Sequence, residues 1–352
     1  MRVVHSPGHQ RHEPGYEVEH GLLVGHHELP VRAERVVSAL AADERFTVEP
    51  PTEWGRAPID AVHDPGLARF LETAWARFQA DVRPQRDVFP DVFLHAGLRA
   101  GMDAPAEPPG ILGGLGRWCF EMATPLVEGT YDAARGAVDV ALTAAKAVLE
   151  QGERHAFGNC RPPGHHAART VYGGFCYFNN AAVVAHHAAS TTGTKVTVLD
   201  VDYHHGNGTQ QIFYDRADVQ YVSLHGDPAR AYPYLVGFAD ETGTGAGRGT
   251  NLNLPLPAGV DDDAYLAALT RALDAVDAFE PSLLVVSLGV DTYHTDPISD
   301  FALTQDGFER CARAVAEMGL PTVVLLEGGY DLEAVGENVR RWLVGLDSSE
   351  AR

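Results

Sequence analysis

The densest run of metal-binding and proton-active side chains is Leu199-Asp200-Val201-Asp202-Tyr203-His204-His205-Gly206-Asn207-Gly208. The residues before it, Val196-Thr197-Val198-Leu199, read as a buried parallel strand. Side chains alternate along a strand, so Asp200, Asp202 and His204 can share one side of its C-terminal end. Open α/β sheets bind ligands at that end. Carboxylates with an imidazole suit zinc or iron(II). The bland alternative is a polar strand end followed by a turn. Two further apolar runs, 282–289 and 321–326, also lead into reactive residues: Asp291 after the first, Glu327-Gly328-Gly329-Tyr330 after the second. Asp202, His204 and Asp291 make a three-ligand set with an open position for water, the layout of a catalytic metal site. For Asp291 the alternative is a cap or turn residue.

His165 and His166 follow Pro162-Pro163-Gly164. Each ring needs a partner for its second nitrogen, and Asp200 and Asn207 are the polar groups available. A carboxylate partner raises imidazole basicity, whereas an amide leaves it nearer its reference value. The pair suits general base and acid work on a metal-bound water. Tyr330, after two glycines, suits donation to a developing oxyanion; the alternative is an ordinary turn tyrosine. Gly243, Gly245, Gly247 and Gly249 fail the dinucleotide-loop spacing at Arg248. His186 and His187, one apart in a helix, do not face each other. His26-His27 has no cluster beside it in sequence and is left unassigned.

Strands alternate with helices along most of the chain, which predicts a mainly parallel sheet covered on both faces. Strands are expected at 2–5, 61–63, 155–157, 196–200, 219–225, 250–256, 282–289 and 321–326. Helices are expected at 31–40, 65–78, 130–151, 180–189, 209–215, 263–278, 306–318 and 331–346. Residues 6–30 read as loop. Residues 81–129, rich in Pro and Gly but also in aromatic side chains, read as an ordered excursion over a site or a partner subunit, against the alternative of a floppy insertion. Length alone suggests about two domains, but no linker divides the 352 residues. A formal net charge of -21 argues against a nucleic-acid backbone as partner and permits cationic substrates. No apolar run is long enough to span a membrane, and the start of the chain lacks a signal-peptide core. Cys119, Cys160, Cys176 and Cys311 form no C-x-x-C pair, which points to buried thiols and a reducing cytoplasm.

Taken together, the motifs resemble the arginase-deacetylase superfamily, and within it the bacterial class II histone-deacetylase-like proteins, the acetylpolyamine amidohydrolases above all. The resemblance rests on Arg161-Pro162-Pro163-Gly164-His165-His166-Ala167, on Gly173-Gly174-Phe175-Cys176-Tyr177-Phe178-Asn179-Asn180 and on the run from Leu199 to Gln210. It continues through Ser223-Leu224-His225-Gly226-Asp227-Pro228, Ser287-Leu288-Gly289-Val290-Asp291-Thr292, Asp296-Pro297-Ile298 and Glu327-Gly328-Gly329-Tyr330. It implies one α/β domain over residues 1–352 around an eight-stranded, mainly parallel sheet. It implies zinc on Asp202, His204 and Asp291, with iron(II) accepted by the same ligands. The catalytic pair would be His165 and His166, backed by Asp200 and Asn207, with Tyr330 polarising the amide carbonyl. Phe175 and Tyr232 would wall the channel, with Gly174 and Ile298 near its rim. A structural potassium ion would use Asp200, the backbone carbonyls of Asp202 and His204, and Ser223 with Leu224.

In acetylpolyamine amidohydrolases an insertion at the place of 81–129 narrows the channel and forms a homodimer. Here the family's acidic rim positions fall on Ala123 and Leu112, which leaves Glu121, Glu17 and Glu19 as candidates for a negative mouth. The expected activity is zinc-dependent removal of an acetyl or other acyl group from a small N-acylated amine, an acetylpolyamine first among them. The alternatives are a protein acetyl-lysine deacetylase, a deacetylase of an N-acetylated biosynthetic metabolite, and a catalytically silent acyl-amine binder. The Tyr330 motif favours the deacetylase branch over a manganese arginase.

Overall fold

The computed structural model describes residues 1–103 and 108–348; residues 104–107, within the predicted insertion, and 349–352 lie outside the described residues. The strands are β1 (Arg2–Val4), β2 (Tyr16–Glu19), β3 (Leu22–Gly25), β4 (Thr47–Glu49), β5 (His155–Gly158), β6 (Val196–Asp200), β7 (Val219–Gly226), β8 (Asn251–Leu256), β9 (Leu283–Leu288) and β10 (Thr322–Leu326). The α-helices are α1 (Val31–Ala41), α2 (Ala57–Val62), α3 (Pro65–Asp81), α4 (Ile111–Trp118), α5 (Thr130–Glu150), α6 (Asn180–Thr192), α7 (Asn207–Phe213), α8 (Asp262–Phe279), α9 (Gln305–Glu317) and α10 (Val335–Asp347).

Strands β6, β7, β9 and β10 are buried at every residue, which is why they read as unbroken apolar runs rather than alternating ones. Eight strands form one sheet in the order β4-β1-β5-β10-β9-β6-β7-β8. All seven neighbouring pairs are parallel. Val196, Val198, Val285 and Leu325 pack toward α2–α7 on one face. Leu199, Val286, Leu288 and Leu326 pack toward α1 and α8–α10 on the other, around the fully buried Trp342. Helix starts follow local chemistry: the Asp64 side chain caps α3 with Pro65 at its first position, and Asn179 caps α6. No described helix is long and apolar enough to cross a membrane.

After β6 the chain moves outward to β7 and β8, then returns to lay β9 on the opposite side of β6. The strand order reverses there, and such a switch point opens a crevice at the C-terminal strand ends.

Two sequence expectations change, and a third gains detail. Residues 61–63 are not a strand, because 57–62 is the helix α2. Pro58 opens it, Ile59 and Val62 share its buried side, and Arg56 reaches Asp60 one turn on at 2.9 Å. Residues 6–30 are not all loop: a 3-10 turn spans Pro7–Arg11, and β2 and β3 form an antiparallel hairpin. Its turn places His20 and Gly21 at φ 49° and 80°. Leu22 and Leu23 both face solvent, so the alternation that marks a half-buried strand is absent. The 81–129 excursion contains α4, closes on itself where Val88 pairs with Leu126, and is pinned to the body where Cys119 pairs with Tyr172.

Candidate active site

Two strand ends bring the predicted donors together. Asp202 and His204 follow β6, Asp291 follows β9, and their ligand atoms lie within 4.8 Å of one another, all buried. His204 Nδ1 stands 3.0 Å from Asp291 Oδ2 and 3.3 Å from Asp202 Oδ1. Backbone amides aim the carboxylates: Gly328 N–H donates to Asp202 Oδ2 at 2.7 Å, and Tyr203 N–H donates to Asp291 Oδ1 at 2.8 Å. Gly328 must be glycine, since a Cβ there would sit 2.4 Å from Asp291 Oδ2. Burial and the charge on Asp202 push the Asp291 carboxyl up to about 7. For His204 burial works the other way, but hydrogen bonds to Asp202 and Asp291 raise it to about 10. Two carboxylates crowded out of water around an imidazole form a donor set short of positive charge, and a divalent cation fits that deficit. Oxygen and nitrogen donors in this number suit zinc or iron(II).

His165 and His166 enter from the loop after β5, their ring centroids 4.0 Å apart. His165 Nδ1 meets Asp200 Oδ2 at 3.1 Å; His166 Nδ1 meets Asn207 Oδ1 at 2.7 Å. An amide oxygen only accepts, so His166 Nδ1 holds the proton and Nε2 keeps its lone pair. Asn207 Nδ2 donates to the His166 carbonyl, which fixes the amide's orientation. Burial lowers the His165 pKa, but Asp202, Asp200 and Glu327 outweigh it and raise it to about 10. Burial and the His165 charge hold His166 well below the usual histidine range. The two rings are pushed in opposite directions, His165 toward its charged form and His166 toward its neutral one.

Glu327 is a residue that sequence reasoning left without a role. Its buried carboxylate accepts from the backbone N–H of Gly164 at 2.6 Å and of His165 at 3.1 Å, and from Ser287 Oγ at 3.1 Å. It therefore seats the histidine loop on β9 and β10. Arg32 was likewise missed. Its guanidinium donates to the carbonyls of Glu327 and Gly329 and lies 4.5 Å from the centre of the Tyr330 ring. Asp296 Oδ2 accepts the Tyr330 N–H at 2.7 Å. Neither role leaves a local signal in the sequence: Arg32 is one of three charged residues in α1, and Glu327 follows the last residue of β10.

A cleft of about 420 Å³ opens over these groups. All six predicted channel residues line it: Gly174, Phe175, Tyr232, Ile298, Glu19 and Glu121. Glu17, His166, His204 and Tyr330 line it too. Phe175 holds φ at 65°, in the left-handed region, a conformation that costs a non-glycine residue roughly 1–3 kcal/mol. Its N–H donates to Thr124 Oγ1 at 2.7 Å, and Gly174 N–H donates to Glu121 Oε1 at 2.8 Å. Glu121 thus anchors the wall. Glu17 lies deeper, beside His26 at 2.8 Å and His27 at 3.0 Å; burial raises its pKa, but the two histidines outweigh that and bring it down to about 2. At the mouth Arg230 pairs with Asp300 at 3.1 Å. The predicted potassium group is partly assembled by the sheet, where Asp200 stands in register with Ser223 and both, with Leu224, are fully buried.

Comparison with known proteins gives the same family from three directions. The histone deacetylase domain family matches residues 26–346. Acetylpolyamine amidohydrolase 1 of Pseudomonas aeruginosa is 42% identical over 349 residues, 99% of each chain. The acetylpolyamine amidohydrolase of Mycoplana ramosa is 40% identical over 98% of this chain and 99% of its own. A crystal structure of acetylpolyamine aminohydrolase from Burkholderia pseudomallei superposes with a TM-score of 0.93 at 40% identity, covering 99% of both chains. With its strand order, its paired histidines and its Asp-His-Asp set, this chain belongs to the histone deacetylase family, alongside the acetylpolyamine amidohydrolases, and is a hydrolytic deacetylase.

Proposed function

We propose that this protein removes the acyl group from small N-acylated amines, acetylpolyamines first among them, with zinc held by Asp202, His204 and Asp291. The observation that supports the chemistry most directly is the division of labour between His165, kept charged beside Asp200, and His166, kept neutral beside Asn207. Environments that push two like groups apart assign base and acid roles. When bound, the metal supplies a Lewis acid for the carbonyl and lowers the pKa of water. His166 Nε2 accepts the proton as water attacks and then hands it to the departing amine. His165 stays cationic and offsets negative charge as it develops. The Tyr330 hydroxyl donates to the carbonyl oxygen as it becomes anionic. Phe175 and Tyr232 exclude water from the acyl group. A potassium ion beside Asp200 and Ser223 would brace the end of β6.

The substrate reading draws on the full-length relatives named for acetylpolyamines and on the half-exposed carboxylate of Glu19 at the cleft, which suits a cationic amine; Glu121 is committed to the wall and Glu17 to His26 and His27. It predicts that the zinc-loaded enzyme prefers acetylputrescine and acetylspermidine over an acetyl-lysine peptide by more than about 100-fold in kcat/KM, roughly 2.7 kcal/mol. Equal or better turnover of the peptide would replace the polyamine reading with protein deacetylation. Weak turnover of all three would move the substrate to other N-acetylated metabolites.

The 81–129 excursion is proposed to form a homodimer interface. Val92, Leu98 and Met102 on it are each more than 60% exposed, and grouped exposed apolar side chains mark association sites. Light scattering should give twice the chain mass, and a monomer at micromolar concentration would remove the proposal.

A further inference from the structure

Behind the Phe175 wall, three buried donors converge on one point. His12, His26 and Glu28 are each at most 5% exposed. One ligand atom from each lies within 4.8 Å of the other two. His12 Nε2, His26 Nε2 and Glu28 Oε2 have no hydrogen-bond partner. The opposite atoms of His12 and Glu28 are hydrogen-bonded, and that of His26 faces a carboxylate. His12 Nδ1 meets Thr130 Oγ1 at 3.1 Å. His26 Nδ1 stands 2.8 Å from Glu17 Oε2, at ion-pair distance but not aligned as a hydrogen bond. Glu28 Oε1 receives Arg32 at 2.7 Å and Arg161 at 2.8 Å. Each donor is thus held from behind and left free in front, which is how outer groups orient metal ligands. A carboxylate behind an imidazole is the commonest form of that support. The His26-His27 pair, unassigned from sequence, acquires its cluster through the turn at His12 and the first residues before α1.

We propose that His12, His26 and Glu28 form a second divalent-metal site, apart from Asp202, His204 and Asp291, that takes zinc or a similar transition-metal ion. Two imidazoles and a carboxylate are a zinc-class donor set. Glu17 and Glu28 offset the guanidiniums of Arg32 and Arg161, so the nest is neutral before an ion enters. The ion then adds positive charge beside two guanidiniums, which makes this the weaker of the two sites. Bonds of about 2.0–2.1 Å draw the three donors inward. The role is structural. The His26 ring packs edge-on against Phe175 at 5.0 Å, and Glu28 holds the Arg32 that lies under Tyr330. An ion here ties the hairpin, the channel wall and the Tyr330 turn together.

The full chain should be saturated with cobalt(II), freed of excess metal by gel filtration and assayed for metal content and visible absorption. Two ions per chain are expected in the unmodified protein. One is expected in a folded His12→Asn or His26→Asn variant, and one, of the second spectral type, in a folded Asp291→Asn variant. One ion per chain in the unmodified protein would overturn the proposal, as would two in either histidine variant. A measurement that needs no variant is an anomalous difference map at the zinc edge from a zinc-soaked crystal. A peak among His12, His26 and Glu28 is expected; density without anomalous signal, a trapped water, would end the proposal.

Discussion

Replacing His166 by alanine lowers kcat by about 10²–10⁴-fold, the usual weight of a positioned general base, and leaves the metal in place. Asn207 Oδ1 can only accept, so the ring presents a lone pair, not a proton, to the cleft. Burial and the charged neighbour His165 keep that lone pair free at neutral pH. No other neutral imidazole lines the cleft on the histidine loop; His165 lies beneath, committed to Asp200. The variant should be assayed at saturating substrate with its metal content measured in parallel, since His166 is not one of the three donors. Full turnover with metal bound would shift the base to His165. A matching loss of metal would make the role one of site assembly.

Replacing Tyr330 by phenylalanine should cost on the order of 10²–10³ in kcat, or roughly 2.7–4 kcal/mol, as for removal of one oxyanion donor. Burial drives the phenol pKa well above its ordinary value, and the nearby Arg32 only partly opposes this, so the hydroxyl keeps its proton at working pH. The ring is fixed by Arg32 at one face, by Phe175 at 5.7 Å between ring centres, and through its backbone by Asp296. Phenylalanine preserves all three contacts, so the loss isolates the oxygen. The expected pattern is a fall in kcat and kcat/KM together with little change in KM, the mark of an interaction made only in the transition state. A variant with normal kcat and bound metal would exclude the donor role.

The strand ends were legible in the sequence because β6, β9 and β10 are buried on both faces. Their apolar runs stop where polar side chains begin, and in a parallel sheet that boundary is the ligand-binding edge. The partners of His165 and His166 were legible from residue type, since a carboxylate and an amide were the polar groups at hand. The supports behind the site were not. Glu327 grips amides at 164 and 165, and Arg32 grips carbonyls at 327 and 329; neither contact leaves a local periodicity. Helix α2 was misread because three residues are too few to tell a period of two from one of 3.6. The hairpin β2–β3 was missed because it buries little, so the hydrophobic pattern had nothing to register.

The place of β10 in the sheet bears on how the protein is made. A ribosome that has delivered residues as far as Leu320 has supplied all three proposed metal donors, both histidines and seven of the eight sheet strands. It has not supplied β10, which lies between β5 and β9 near the middle. Until then those two strands have no common neighbour, and unpaired edges invite pairing with other chains. The same segment brings Glu327, which seats the histidine loop, and Tyr330, which lines the cleft. The segment after Leu320 therefore closes the sheet and brings Tyr330 to the cleft in one step.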